Sequence, residues 1–168
     1  VNKLITYEQA GNRDYQHRAI FSAAVLWDEP YTDEAVVKER IRLRYLPGHF
    51  DVRTLYESQT RITVDTALVL LDAGFGIFNH CGHGWIDALA LAHNAVLRNR
   101  DVDRLTNLNA SGIGYSIGCW TAAFDFDAIG EHFVFNPDGG GVAFIGHSSY
   151  GWGAPGNPGF GYSDRFDE

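Results

Sequence analysis

Short apolar runs alternate with amphipathic helix patterns along this chain, and the alternation constrains the fold more than any other feature. Five runs have the length and apolar content of strands: Ala19–Trp27, Asp51–Tyr56, Phe75–Asn79, Gly112–Ile117 and Gly141–Ile145. Strands of this kind, separated by helices, form mostly parallel sheets that are covered on both faces. The sequence therefore predicts an α/β protein, a three-layer sandwich with helices on both faces of the sheet, folded as a single domain over residues 1–168.

Helix signals fall between these strands. Thr63 is positioned to cap a helix that Gly74 ends, and the apolar side chains of that helix recur on one face, at Val64, Ala67, Leu68 and Leu71. Thr32, which two acidic residues follow, predicts the start of an earlier helix that runs to about Leu43. A third helix is expected over Ala128–Phe135.

Reactive side chains follow the predicted strands. Asp28-Glu29 follow the first strand, His80–Gly84 (HCGHG) end the third, Gly118-Cys119 follow the fourth, and Gly146–Ser149 follow the fifth. The carboxyl ends of parallel strands meet at one edge of the sheet, where α/β proteins bind their ligands. We therefore expect a functional site at this edge.

Charge and composition narrow the possible functions. Lys and Arg number 13 against 21 Asp and Glu, a net charge of −8, so no basic stripe is available to neutralise the phosphates of a nucleic acid. The longest apolar runs are too short to span a membrane, and two cysteines cannot form a disulfide-dense scaffold. Because the chain starts at Val1, without methionine or a signal segment, we expect it to be a fragment of a longer precursor with flanking domains.

Cys119 and His83 form the strongest candidate pair. A cysteine nucleophile needs a nearby base and backbone donors for the oxyanion that it creates. Gly118 permits a sharp turn before Cys119, and the glycines on either side of His83 leave room for a substrate backbone and for an oxyanion at the N–H of Gly84. The alternative is a purely structural role for Cys119, as a small buried side chain at a strand end.

Two further interpretations compete for the same loops. Cys81 lies too close to His83 in sequence for in-line geometry, so we interpret it as a packing residue. A zinc site of His80, Cys81, His83 and Cys119 lacks the paired spacing of structural zinc sites, and adjacent residues of a strand point to opposite faces.

Several motifs, taken in order, resemble those of the gingipain-type family of caspase-fold cysteine peptidases. NHCGHG at residues 79–84 resembles the His-Gly block of that family, and SIGC at residues 116–119 resembles its cysteine block. DVDRLTN and FNPDGGGVAFIGHSS are similar to its connecting segment and to its next loop and strand, and VNKLITYE is similar to the helix before its first strand. The resemblance implies a caspase-like three-layer fold with a mostly parallel sheet.

The resemblance also implies a role for each matching residue. His83 matches the catalytic histidine and Cys119 the nucleophile, while the N–H groups of Gly84 and Cys119 match the oxyanion hole. Asp28 matches the acidic residue that supports the histidine. Trp120 departs from the pattern, because glycine is expected after the cysteine. The pocket for the substrate residue before the cleaved bond is expected to be walled by Ser148, Ser149, Tyr150 and Trp152.

The sequence as a whole predicts a cysteine endopeptidase that cleaves proteins or peptides through a thioester on Cys119, with His83 as proton donor. The alternative is a catalytically silent binding or adhesion module with the same fold. No cofactor is predicted, and calcium at the Asp-rich stretches is left open; the resemblance implies an extracellular or cell-surface location. A pocket for a basic residue would need a buried carboxylate, for which the candidates are Asp33, Glu34, Glu39, Asp125 and Asp127.

Overall fold

The computed structural model describes residues 2–11 and 13–159. The helices are α1 (Asn2–Gln9), α2 (Ala35–Arg44), α3 (Val64–Asp72), α4 (Asn99–Val102) and α5 (Ile129–Phe135). The strands are β1 (Arg18–Ala23), β2 (Val25–Asp28), β3 (Tyr31–Asp33), β4 (Asp51–Tyr56), β5 (Ile77–Cys81), β6 (Gly84–Trp85), β7 (Ala88–Ala92), β8 (Ala95–Arg98), β9 (Ile113–Ser116) and β10 (Ala143–Ile145). Within the described residues, no helix is long and apolar enough to cross a membrane.

A five-stranded sheet forms the centre of the molecule. Its strand order is β10-β9-β5-β1-β4, and every neighbouring pair is parallel. Ile77 at the start of β5 lies beside Ala19 of β1 and Ile113 of β9, so the strands also end near one another. The predicted fold class, an α/β sandwich built on a mostly parallel sheet, is confirmed.

Alternation along β1 shows how the sequence covers both faces of this sheet. Ile20 belongs to a buried cluster with Leu71 of α3 and Phe133 of α5. Phe21, on the opposite face, packs in a second cluster with Val37 of α2. Successive side chains of a strand point to opposite faces, so each face of the sheet receives its own helices.

Most of the predicted elements occur close to their expected positions. The strand Asp51–Tyr56 has the predicted bounds, whereas the strand expected at Phe75–Asn79 begins and ends two residues later. Thr63 caps α3 as predicted, since its hydroxyl accepts the backbone N–H of Thr66 at 3.1 Å. Gly74 follows the end of α3 with a φ of 85°, a left-handed conformation that favours glycine.

The run Ala19–Trp27 is two strands rather than one, which corrects the prediction. β1 ends at Ala23, and Ala24 donates its N–H to the carbonyl of Cys81 at 2.9 Å. The next N–H, that of Val25, is bound by the Glu57 carboxylate at 2.9 Å. These bonds turn the chain away from the central sheet, and β2 then pairs with β3 in an antiparallel hairpin.

Thr32 does not cap a helix, which corrects a second prediction. It lies within β3, where its hydroxyl donates to the carbonyl of Pro30 at 2.9 Å and accepts the N–H of Gly156 at 2.6 Å. The helix begins later, at Ala35, whose N–H is bound by the Asp33 carboxylate at 2.9 Å. A polar side chain before a helix is therefore not specific enough to choose between two neighbouring cap positions.

A three-stranded sheet that the sequence patterns did not predict follows the His-Gly loop. It is an antiparallel meander of β6, β7 and β8. All five residues of β7 are buried, and Leu89, Leu91 and Leu97 join the same core cluster as α3 and α5. The meander therefore fixes the loop around His83 against the central sheet.

Candidate active site

The loops at the carboxyl ends of the strands enclose a cavity of about 340 Å³. His83 from the loop after β5 and Cys119 from the loop after β9 both line it. The remaining lining consists of apolar and aromatic side chains and glycines, namely Leu26, Trp27, Gly82, Ile117, Gly151, Trp152 and Gly153. The structure thus brings the two predicted reactive residues to one edge of the sheet and into one cavity.

His83 is oriented by a backbone carbonyl. Its Nε2 lies 2.9 Å from the carbonyl oxygen of Leu26. A carbonyl only accepts hydrogen bonds, so Nε2 carries the proton in this arrangement and Nδ1 holds the lone pair of the neutral ring. The indole of Trp27 meets the imidazole edge to face, with 5.9 Å between ring centroids. Together these contacts hold the ring in one orientation beside the cavity.

Asp28 does not occupy the supporting position expected from its sequence. Its side chain is 82% exposed, and its carboxylate lies 3.6 Å from Nε2 of His93. His93 is also bound through Nδ1 to the Glu57 carboxylate at 2.8 Å, which raises the pKa of His93. The carboxylate that was expected to orient His83 is therefore directed to a neighbouring histidine, and the Leu26 carbonyl takes its place.

The sulfur of Cys119 is half-buried and lies against the segment after β10. The N–H of Gly151 donates to Sγ at 3.4 Å, and Sγ lies 3.7 Å from the Gly151 carbonyl. Within the described part of the chain, the N–H of Cys119 donates to no acceptor. It is therefore available to a ligand in the cavity.

Trp120, which departs from the family pattern, adopts the backbone conformation that explains the expected glycine. Its φ is 62°, in the left-handed region, and no other described non-glycine residue has a positive φ. Two contacts hold it there: its N–H donates to the Ser149 carbonyl at 2.7 Å, and its ring meets Tyr150 at 5.3 Å. The backbone after Cys119 thus adopts a conformation typical of glycine although the residue is tryptophan.

Gly84 brings the His-Gly loop into contact with the cysteine loop. A Cβ at Gly84 would lie 2.8 Å from the carbonyl oxygen of Cys119 and 2.7 Å from the Thr121 methyl group. A larger residue is therefore excluded at this position. The backbone of Gly84 and the Gly118-Cys119 peptide therefore lie side by side.

A buried histidine is connected by hydrogen bonds to the loop that carries Cys119. His80 is fully buried, with Nε2 at 2.9 Å from the Ala90 carbonyl and Nδ1 at 2.9 Å from the Ser116 hydroxyl. The Ser116 oxygen in turn accepts the N–H of Gly118 at 3.0 Å. Burial lowers the pKa of His80 to about 4, so the ring is neutral at pH 7 and the hydrogen bonds run in one direction, from Gly118 to Ala90.

Cys81 and His80, two residues of the zinc alternative, both have partners within the fold. Cys81 is fully buried and clusters with Tyr115 and Ile117. His80 uses both ring nitrogens in the bonds just described. The described residues contain no group of three or more His, Cys, Asp or Glu side chains that could hold a metal ion.

Only part of the predicted substrate segment lines the cavity. Trp152 lines the cavity, whereas Ser148, Ser149 and Tyr150 lie outside it and are exposed. The rings of Tyr150 and Trp152 are 6.1 Å apart, so the segment presents a continuous aromatic surface from Trp120 to the cavity.

A model of peptidase family C25 matches residues 1–168. The chain belongs to peptidase family C25. The resemblance to gingipain-type peptidases is thereby confirmed. Among curated proteins no significant match to this C25 chain was found.

Solved structures similar to this C25 chain include one described as the Arg-specific cysteine proteinase gingipain R (RGPB), with a TM-score of 0.76 and 19% identity. A complex of Porphyromonas gingivalis RgpB pro- and mature domains gives 0.72 and 19%, and a structure described as a protease gives 0.71 and 20%. The matches cover 99%, 99% and 90% of this chain but only 39%, 40% and 33% of the others. The likeness shows a shared fold, and this chain spans about two fifths of the gingipain chains.

Sequence reasoning missed three contributors to the C25 site. No sequence pattern indicates the role of the Leu26 carbonyl, because every residue has a backbone carbonyl group. The ring of Trp27 was detectable as an aromatic residue at a strand end beside Asp28. The link from His80 to Ser116 joins two strands, and only the register of β5 against β9 reveals it.

Proposed function

We propose that this chain is the catalytic domain of a cysteine endopeptidase in which Cys119 is the nucleophile and His83 the general acid. The observation that carries the proposal is the convergence of His83 and Cys119 on one cavity at the carboxyl ends of β5 and β9. Membership of family C25 supports the same chemistry.

Nδ1 of His83 would take the thiol proton of Cys119 as the sulfur attacks the carbonyl carbon of the scissile peptide bond, and the N–H groups of Gly84 and Cys119 would hold the oxyanion. Collapse of this intermediate breaks the C–N bond and leaves a thioester, while His83 gives its proton to the leaving amine. A water molecule then attacks the thioester and gives a proton to His83, the C–S bond breaks, and His83 returns the proton to the sulfur as the acid product is released.

The Leu26 carbonyl would assign the two nitrogens of His83 to different tasks. Nε2 keeps its proton in the bond to the carbonyl at 2.9 Å. Proton transfer to the amine therefore falls to Nδ1 once the ring is protonated. The carbonyl also stabilises the imidazolium, since a charged donor makes the stronger hydrogen bond.

The substrates would be proteins or peptides, as the open cavity and the family suggest. We further propose an extracellular or cell-surface location and a longer precursor with flanking domains. A pro-domain bound to a mature domain in the gingipain RgpB structure supports the second point.

Replacement of the two cysteines tests the proposal. Cys119→Ala is expected to abolish cleavage of a protein substrate such as casein, because no other half-buried thiol lies in the described residues. Cys81→Ala is the matched control: it removes a buried thiol that lies outside the cavity and should leave most of the activity. A peptide acyloxymethyl ketone should label Cys119 alone, as located by mass spectrometry. Full activity of the Cys119→Ala variant would refute the mechanism.

A further inference from the structure

The lining of the catalytic cavity has a definite chemical character. Beside His83 and Cys119, its walls are made by Leu26, Trp27, Ile117 and Trp152. The other lining residues are glycines, and a Cβ at Gly153 would lie 3.0 Å from the ring of Trp27, so Gly153 brings its backbone directly against this aromatic wall. No carboxylate is among the lining residues in the described part of the chain.

The acidic residues that could have made a basic pocket are engaged elsewhere. The Glu39 carboxylate binds Arg42 at 2.6 Å and the Tyr56 hydroxyl at 3.0 Å. Asp127 binds His132 at 3.0 Å and lines a separate cavity.

The remaining candidates lie away from the catalytic cavity as well. The Asp33 carboxylate binds the N–H of Ala35 in α2, Glu34 is buried at the start of that helix, and Asp125 is exposed in the turn that follows the cysteine loop. None of these residues lines the catalytic cavity.

A lining of this kind disfavours the binding of a cationic substrate side chain in the cavity. A guanidinium or ammonium group taken out of water needs a carboxylate and further hydrogen bonds to offset its lost hydration. A large apolar side chain gains free energy when the same walls cover it, and aromatic walls favour aromatic partners. A volume of about 340 Å³ is sufficient for such a side chain.

We propose that this cavity receives a large uncharged side chain, aromatic or aliphatic, from the substrate residue that precedes the cleaved bond. The inference rests on the proposed function and adds a substrate class to it. The preference differs from the arginine specificity of gingipain R, although the two chains share a fold.

Matched peptide substrates test the preference. Four peptides that differ only in the residue before the scissile bond, Phe, Leu, Arg or Lys, are compared by kcat/KM with the whole chain. We expect Phe and Leu to exceed Arg and Lys by at least about 100-fold, the scale of an unpaired buried charge. Equal or better cleavage after Arg would overturn the inference while the proposed function stands. Failure to cleave any peptide, together with failure of acyloxymethyl ketones bearing Phe or Arg to label Cys119, would overturn both.

A charge placed in the cavity supplies a second test. Trp152 is 64% exposed, so Trp152→Glu should fold, and its carboxylate should shift the Phe-to-Arg ratio toward Arg by about tenfold or more. Phe135→Glu makes the same change of net charge beside the separate cavity and should leave the ratio unchanged. An unchanged ratio in Trp152→Glu would show that another surface selects this substrate residue.

Discussion

A main-chain oxygen orients His83, and this determines what is expected of Asp28. The Asp28 carboxylate is exposed and faces His93 rather than His83. We predict that Asp28→Asn changes kcat by no more than about fivefold, the equivalent of ~1 kcal/mol for an exposed ion pair. Steady-state kinetics on a peptide substrate measure this, with Asp87→Asn, another exposed ion-paired carboxylate, as the matched control. A fall in kcat of a hundredfold at constant KM would restore Asp28 to a supporting role.

Single residues also show how far the sequence could be interpreted. Cys119 and His83 were found because glycines and strand ends leave a pattern in the sequence. Trp120 has the left-handed φ of 62° in spite of its side chain, and it is held by a hydrogen bond to Ser149 and a ring contact with Tyr150, which no local pattern reveals. Contacts between residues distant in sequence depend on topology, so they became visible only in the structure.

At the scale of single elements, the N-cap of α3 can be tested directly. The Thr63 hydroxyl accepts the Thr66 N–H at 3.1 Å, one of the helix N–H groups that has no partner within the helix. We predict that Thr63→Ala lowers the free energy of unfolding by about 1 kcal/mol, as measured by urea denaturation. Thr60→Ala, an exposed threonine that caps no helix, should change it by less than about 0.5 kcal/mol. Equal losses in the two variants would contradict the capping role.

The elements differ in how strongly the sequence specifies them. The central strands β1, β5 and β9 are almost wholly buried, and the short apolar runs that this burial requires are visible in the sequence. In the meander, β6 has two residues and β8 has four, and only two residues separate β7 from β8. Strands this short do not show a clear alternation of apolar and polar residues in the sequence. Thr32 and Asp33 both resemble cap residues, and the choice between them depends on Gly156, more than a hundred residues later.

The pH dependence of global stability depends on His80, which links β5 to Ser116 of β9 and to Ala90 of β7. Burial lowers its pKa from 6.5 to about 4. Between these values the unfolded chain binds a proton that the native ring does not, so the free energy of unfolding falls as the pH falls. The loss attributable to His80 reaches about 3 kcal/mol near pH 4 and is absent above pH 6.5.

Urea denaturation between pH 7 and pH 4 measures this effect. The difference in unfolding free energy between the wild type and His80→Gln should shrink by that amount as the pH falls, because glutamine does not titrate. Ser116→Ala removes the hydroxyl but keeps the buried ring, so it should retain the wild-type slope. A pH-independent difference for His80→Gln would show that the native ring takes up protons as the unfolded one does.

The support of His83 by the Leu26 carbonyl has a consequence for evolution. Every amino acid presents that oxygen, so the support is inherited with the course of the backbone and not with any particular codon. Position 28 would then be under no selection to carry a carboxylate for catalysis. Relatives with this backbone can lose every acidic side chain around the histidine and keep its orientation, and a search that demands a carboxylate after the first strand would overlook them.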